Sequence, residues 1–154
     1  MSAIIEKVKR FLDSMRLTYE IQPVEGKITR IVVPYRHSEA DLEYYVVIDS
    51  SEKWVRFWTL ILSHEKLKDA KTQEALYQAL LVANGELAEV KYFITEKGDV
   101  GILGHEGVEA LTIDGFREEF YAIPFGITHF LTNIAKRLKI AVTVPSKERL
   151  SIYA

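Results

Sequence analysis

Residues 54–62, with the sequence WVRFWTLIL, constrain the fold most because both sides of this segment are apolar. Successive side chains of a β-strand point to opposite faces of a sheet. One face of this segment carries Trp54, Arg56, Trp58, Leu60 and Leu62, and the other carries Val55, Phe57, Thr59 and Ile61. An antiparallel strand with one solvated face alternates apolar with polar residues, and this segment does not. We therefore expect both faces of the sheet to be covered.

Two kinds of cover fit this pattern. Helices can cover one face, and the second face is then covered either by a remaining helix or by a partner subunit or bound peptide. Tryptophan and tyrosine are favoured at protein interfaces because they bring a large contact area with a polar group. We expect a homodimer that uses this face or a helix beside it, with a partner or dimer surface formed by Trp54, Arg56, Trp58, Leu60 and Tyr45.

The order of periodic segments predicts the fold class. Helical spacing covers residues 3–15, a segment from about Thr72, and a segment that begins at Thr112 or Asp114. Extended segments follow the first helix and separate the second from the third, at 17–21, 28–36, 42–49, 54–62, 90–95 and 99–105. This order predicts one α+β domain over residues 1–154: helix, three or four strands, helix, two strands and helix, with a mostly antiparallel sheet packed by helices.

The last helical segment contains Pro124, followed closely by Gly126. Proline removes a backbone donor and clashes with the preceding turn of a helix. We therefore expect a kink there, or a helix broken in two.

The segment KGDVGILGHEG, residues 97–107, holds four of the eight glycines. Its spacing does not match a dinucleotide-binding or phosphate-binding loop, and it lies within and after a strand. A three-residue hairpin loop with Gly98 in the left-handed conformation fits better. That register places Phe93 opposite Gly101, and an aromatic ring over a strand glycine is a known way to cover it. We interpret Gly98, Gly101 and Phe93 as a structural turn.

Composition excludes several classes of protein. A net charge of −2 argues against a nucleic-acid partner. The chain has no cysteine, which excludes disulfides, thiol catalysis and cysteine-ligated zinc. We see neither a signal peptide nor an apolar run long enough for a membrane span, and we expect a cytoplasmic protein. Asparagine and glutamine total five residues, while Lys, Glu and Ile are plentiful, which indicates a thermophilic source.

Candidate catalytic residues are sparse. His64–Glu65 and His105–Glu106 could hold a metal if two strand ends met in space, which would suit a small metal-dependent hydrolase. Neither pair has the His-Glu-x-x-His spacing that places two ligands on one side of a helix. No Gly-x-Ser-x-Gly motif is present. We expect no catalytic residues, no metal and no cofactor; a ligand-sensing regulatory domain is a further alternative.

The segment LLVANGELAEVKYFITEKGDVGILGHE…LTIDGFREEF resembles the second half of YbjN-type domains, which share the fold of type III secretion chaperones. The shared features are a helix ending near Asn84, a strand, a turn at Gly98, a second strand and a capped helix that contains Phe116 and Phe120. The resemblance implies a small α+β protein that dimerises and has no catalytic residues. Secretion chaperones wrap extended segments of client proteins around their surface. We therefore expect a non-enzymatic homodimeric protein-binding module, chaperone-like or adaptor/regulatory, with an extended protein segment as client.

Overall fold

The computed structural model describes residues 3–23, 26, 28–151 and 153. Four strands follow the first helix and two follow the second, which confirms the predicted α+β order. The main elements are α1 (Ala3–Ser14), β1 (Glu20–Pro23), β2 (Thr29–His37), β3 (Leu42–Ser50), β4 (Trp54–Leu62), α2 (Ala70–Glu86), β5 (Lys91–Ile94), β6 (Val100–Gly107) and α3 (Ile113–His129). None of the helices in the described ranges is long and apolar enough to cross a bilayer.

The strands form one antiparallel sheet in the order β1-β2-β3-β4-β6-β5. Strands β1 to β4 follow one another across the sheet. The β5–β6 hairpin comes next, and β6 is the strand of this hairpin that pairs with β4. Strand β4 therefore lies inside the sheet, between β3 and β6, with a register irregularity between Leu60 and Leu62. An interior strand has no solvated edge, which suits the apolar composition of β4.

Helices α1, α2 and α3 pack against one face of the sheet, which we call the inner face. The Phe57 ring of β4 lies 5.0 Å from the Phe116 ring of α3, measured between centroids. The core on this side includes Leu12 of α1, Leu80 of α2, Ile127 of α3, and Val33, Val46, Ile48 and Ile102 of the sheet. The alternative in which one of these three helices covers the second face is therefore wrong.

Helix α3 begins where the sequence predicts. The Thr112 hydroxyl accepts a hydrogen bond from the Gly115 amide at 3.1 Å, which satisfies a free donor of the first turn. Of the two outcomes expected at Pro124, a kink or a helix broken in two, the break is wrong, because the helix continues through Pro124 to His129. The irregularity comes later, as a π-helical stretch Phe130–Ala135 that leads into α4 (Lys136–Leu138). Burial of α3 against the sheet offsets the backbone hydrogen bond that proline removes, a loss of about 3 kcal/mol.

The β5–β6 hairpin has a tight three-residue loop. The Thr95 amide donates to the Asp99 carbonyl at 2.9 Å, and Gly98 has φ +88°. Phe93 pairs with Gly101, which is the register that the hairpin interpretation requires. The Phe93 ring lies so close that a Cβ at Gly101 would be 2.4 Å from its Cζ atom.

Candidate partner-binding face

The sheet face opposite the three helices, which we call the outer face, carries an apolar row across four strands. Sheet register aligns Val32, Val47, Trp58 and Leu103. Val47 and Trp58 are buried, although no residue of α1, α2 or α3 belongs to their cluster. The prediction that this face needs a cover is therefore confirmed, and the cover has to come from another part of the chain or from another molecule.

A charged row lies next to the apolar row, because register also aligns Arg30, Asp49, Arg56 and His105. The Asp49 carboxylate accepts hydrogen bonds from Arg30 Nε at 2.7 Å and Arg30 Nη2 at 3.0 Å. It also accepts from the Trp58 indole at 2.9 Å and from Arg56 Nη2 at 3.3 Å. The Arg30 and Asp49 side chains are only 3% and 1% exposed. A buried charge is stable only when it is paired, and the two-pronged Arg30 contact supplies that pairing.

The residues predicted as a partner or dimer surface all lie on the outer face, but they differ in access. Trp58 and Leu60 are almost wholly buried within the chain. Trp54, Arg56 and Tyr45 are partly exposed. The Arg56 guanidinium stacks over the Trp54 ring at 5.4 Å. Only part of the predicted surface is therefore open to a partner.

The C-terminal segment covers the buried part of the outer face. We call this segment, residues 146–151 and 153, the strap; it contains the short helix α5 (Lys147–Leu150). Leu150 packs with Val47, Trp58 and Leu60 in one apolar cluster. Lys147 forms an ion pair with Glu20 of β1. The strap thus lies across the face as a bound segment of the same chain.

Asp99, at the start of β6, anchors the strap. Its carboxylate accepts from Arg149 Nε at 2.9 Å and from the Tyr153 hydroxyl at 2.5 Å. It also accepts from the His64 amide at 2.9 Å and lies 3.0 Å from His64 Nδ1. Burial by itself would raise the pKa of Asp99, but the hydrogen bonds from Arg149, Tyr153 and His64 outweigh it and hold that pKa well below its usual range. Asp99 is therefore a permanent anion that holds the strap in place.

A cavity of about 470 Å³ lies beside the strap on the outer face. Trp58, Phe93 and Leu103 form its apolar part, with the Trp58 and Phe93 rings edge to face at 6.5 Å. The polar lining consists of Arg56, Thr95, Glu96, Lys97 and Tyr153. The volume lies within the range of about 300–1,000 Å³ that is typical of ligand-binding sites, and the lining is divided between apolar and polar residues. We call this cavity the outer-face pocket.

The two His-Glu pairs do not come together. His64 lies in the turn that follows β4, whereas His105 pairs with Arg56 near the beginning of β4. The intervening strand separates the two histidines by roughly 20 Å. Among residues 3–23, 26, 28–151 and 153, no group of three or more His, Asp or Glu side chains could hold a metal ion. The four-residue metal site is therefore not assembled.

Two glutamates, Glu106 of β6 and Glu119 of α3, lie between α3 and the sheet. Glu119 Oε2 would lie 2.6 Å from a Cβ at Gly104, and Glu106 Oε1 would lie 2.8 Å from a Cβ at Gly115. Burial raises the pKa of Glu119, and the charges of Glu106 and Glu118 raise it further. The pKa of Glu106 is raised in the same way, by burial and by Glu118. Gly104 and Gly115 thus make room for two carboxyl groups whose pKa values are higher than that of a solvent-exposed glutamate.

Sequence reasoning missed Asp99, Arg149 and Tyr153, and it also missed the Arg30–Asp49 pair. The pair could have been found, because Arg30 and Asp49 each adjoin an apolar run of their strand, at 31–33 and 46–48, where buried charges need partners. The Asp99–Arg149 contact joins residues 50 positions apart. No local pattern indicates it.

Comparison with known proteins adds no assignment for this chain. No protein-family model matches the sequence, and no curated protein matches it. Any function has to be argued from the outer face itself.

Proposed function

We propose that this protein is a non-enzymatic protein-binding module, chaperone-like or adaptor-like, that holds an extended segment of a partner on its outer face. The strap carries this proposal. A peptide segment is already bound to this face through Leu150 in the apolar cluster and Arg149 on Asp99. A face that binds one segment in this way has the chemistry to bind another, and the outer-face pocket beside the strap is open.

Selection from a random peptide display library tests this function. We expect the protein to enrich a common sequence pattern, and we expect Leu103→Glu, which places a charge in the outer-face pocket, to abolish the enrichment. Phe125→Glu is the matched control, because Phe125 is a 48% exposed apolar residue on α3, outside the pocket lining. Absence of enrichment by the unmodified protein, or enrichment that survives Leu103→Glu, would remove the proposal.

Homodimerisation is a second part of the proposal. Leu81 and Val82 of α2 are 73% and 56% exposed, which is unusual for large apolar side chains and is typical of interfaces. Light scattering at micromolar concentration should give the mass of a dimer, and Leu81→Glu should reduce it to that of a monomer. A monomer before substitution would remove this part and leave the outer-face proposal standing.

The likeness to YbjN-type domains and type III secretion chaperones belongs to the same proposal, as do the cytoplasmic location and the thermophilic source. A melting temperature in the ordinary mesophilic range, about 45–65 °C, would contradict the thermophilic source.

The outer-face pocket also favours a second candidate, a ligand-sensing regulatory domain. Saturable binding of a small molecule that Leu103→Glu abolishes, without any peptide enrichment, would support that candidate instead.

A further inference from the structure

Arg56 of the outer face shares its counter-ion with another guanidinium group. Asp49 is the carboxylate between two guanidinium groups, and Arg30 already engages it with two short hydrogen bonds. Arg56 reaches the same carboxylate only at 3.3 Å, and its side chain is 40% exposed. Within the described part of the chain, Arg56 Nε is enclosed and has no hydrogen-bond partner. Arg56 therefore keeps both positive charge and donor capacity.

The other charges near the outer-face pocket are already balanced. Asp99 is saturated by Arg149, Tyr153 and His64. Glu96 and Lys97, neighbours on the hairpin loop, carry opposite charges. Arg56 would repel a cationic ligand at its end of the pocket, whereas an anionic ligand could accept a hydrogen bond from the exposed part of its guanidinium; the Glu96 carboxylate belongs to the hairpin loop at the other end. Charge complementarity thus favours a negatively charged partner at the Arg56 end.

The rest of the pocket favours an aromatic group. The Trp58 indole N–H is already bonded to Asp49, and this buried ring forms the apolar floor of the pocket. Phe93 stands edge to face with Trp58, and Leu103 completes the apolar lining. At the far end the Thr95 and Tyr153 hydroxyls bind each other at 3.0 Å. The two ends of the pocket therefore differ, with the Arg56 guanidinium at one end and the paired hydroxyls and the oppositely charged Glu96 and Lys97 at the other.

We propose that the outer-face pocket binds a partner peptide through an aromatic side chain with an acidic residue beside it. The aromatic ring packs on Phe93 and Leu103, which are partly exposed, and the carboxylate bonds to Arg56. This inference rests on the proposed function and names the chemistry of its partner.

Fluorescence anisotropy with short labelled peptides tests the inference. The first probe carries glutamate followed by phenylalanine in a glycine-serine background. The second has glutamine in place of glutamate, and the third has alanine in place of phenylalanine. We expect the second and third probes to bind at least about tenfold more weakly than the first, because each lacks one of the two contacts.

Protein variants assign the acidic contact to Arg56. Arg56→Gln should weaken the first probe about tenfold, to the level of the second, and should leave the second unchanged. Arg117→Gln, an exposed arginine of α3, is the matched control and should change neither. The fold tolerates Arg56→Gln because Arg30 still pairs with Asp49, and circular dichroism checks this. Arg56→Lys should retain part of the preference, since it keeps the charge but not the planar donor group.

Four outcomes would overturn the inference. Equal binding of the first and second probes, or no effect of Arg56→Gln, would remove the acidic contact and leave the proposed function intact. Enriched display peptides that lack an acidic and aromatic neighbour pair would do the same. Free N-acetylphenylalanine that binds as tightly as the first probe would assign the pocket to small molecules. Failure of the proposed function itself is separate, because it is read from the display selection: either nothing is enriched, or the enrichment survives Leu103→Glu.

Discussion

Replacement of Gly101 by alanine tests the register of β6 against both of its neighbours. The added Cβ would lie 2.4 Å from Phe93 Cζ and 2.7 Å from the Thr59 carbonyl oxygen, and real Cβ contacts essentially never fall below 3.0 Å. The ring can turn, but the carbonyl belongs to the backbone of β4, so a strand has to shift. Overpacking costs about 1–3 kcal/mol, and the backbone contact favours the upper end of this range.

The substitution also lowers the conformational entropy of the unfolded chain, which stabilises the folded state by about 0.4–1 kcal/mol. We therefore expect a net loss of about 2 kcal/mol in the free energy of unfolding. For a chain of this size, each 1 kcal/mol shifts the melting temperature by about 2–4 °C. Gly101→Ala should lower it by about 4–8 °C in thermal unfolding followed by circular dichroism.

Gly107→Ala is the matched control on the same strand. No atom lies within 4 Å of a Cβ at Gly107, so alanine there should leave the melting temperature unchanged or raise it slightly. Combining Gly101→Ala with Phe93→Leu should recover only part of the loss, because the Thr59 carbonyl remains in place. Melting temperatures for Gly101→Ala and Gly107→Ala that agree within about 1 °C would refute both the register and the position of Phe93 in the outer-face pocket.

Two further predictions concern buried carboxyl groups. Asp99→Asn should loosen the strap, because the carboxylate bound by Arg149 is lost. Trypsin should then cleave after Arg149 about tenfold faster, if the free energy of opening the strap falls by about 1.4 kcal/mol. An unchanged cleavage rate would contradict this anchoring. Glu119→Gln should increase the free energy of unfolding relative to the unmodified protein, and this gain should be larger at pH 7 than at pH 4. The pKa of Glu119 is raised in the folded protein, so its contribution is full below the unfolded pKa and is lost as pH rises through the folded value. An equal gain at both pH values, or the same pH dependence in Glu109→Gln, an exposed glutamate, would contradict the burial of Glu119.

The predicted elements depended on signals within short stretches of chain. Threonine at 112 followed by an apolar periodic segment predicted a helix start, and Thr112 caps α3. The break expected at Pro124 was wrong because the prediction used only a local rule. A proline rule describes an isolated helix, whereas α3 is held against the sheet, where Phe120 and Ile123 are wholly buried. Tertiary packing overrode the local preference, and the sequence signal for this is the apolar spacing of Phe120, Ile123 and Ile127, which continues on both sides of Pro124.

The sequence alone determined that both faces of residues 54–62 had to be covered, because alternation along a strand is a local property of the chain. It also determined the order of the elements, since each period of 2 or 3.6 residues lies within one segment. Only the tertiary structure decided that all three long helices share the inner face and that the strap covers much of the outer one. The strap is held by contacts such as Arg149 to Asp99 and Leu150 to Trp58, which join residues far apart in the chain. Such pairings depend on where the whole sheet places its buried carboxylates and apolar hollows, and short-range patterns do not carry that information.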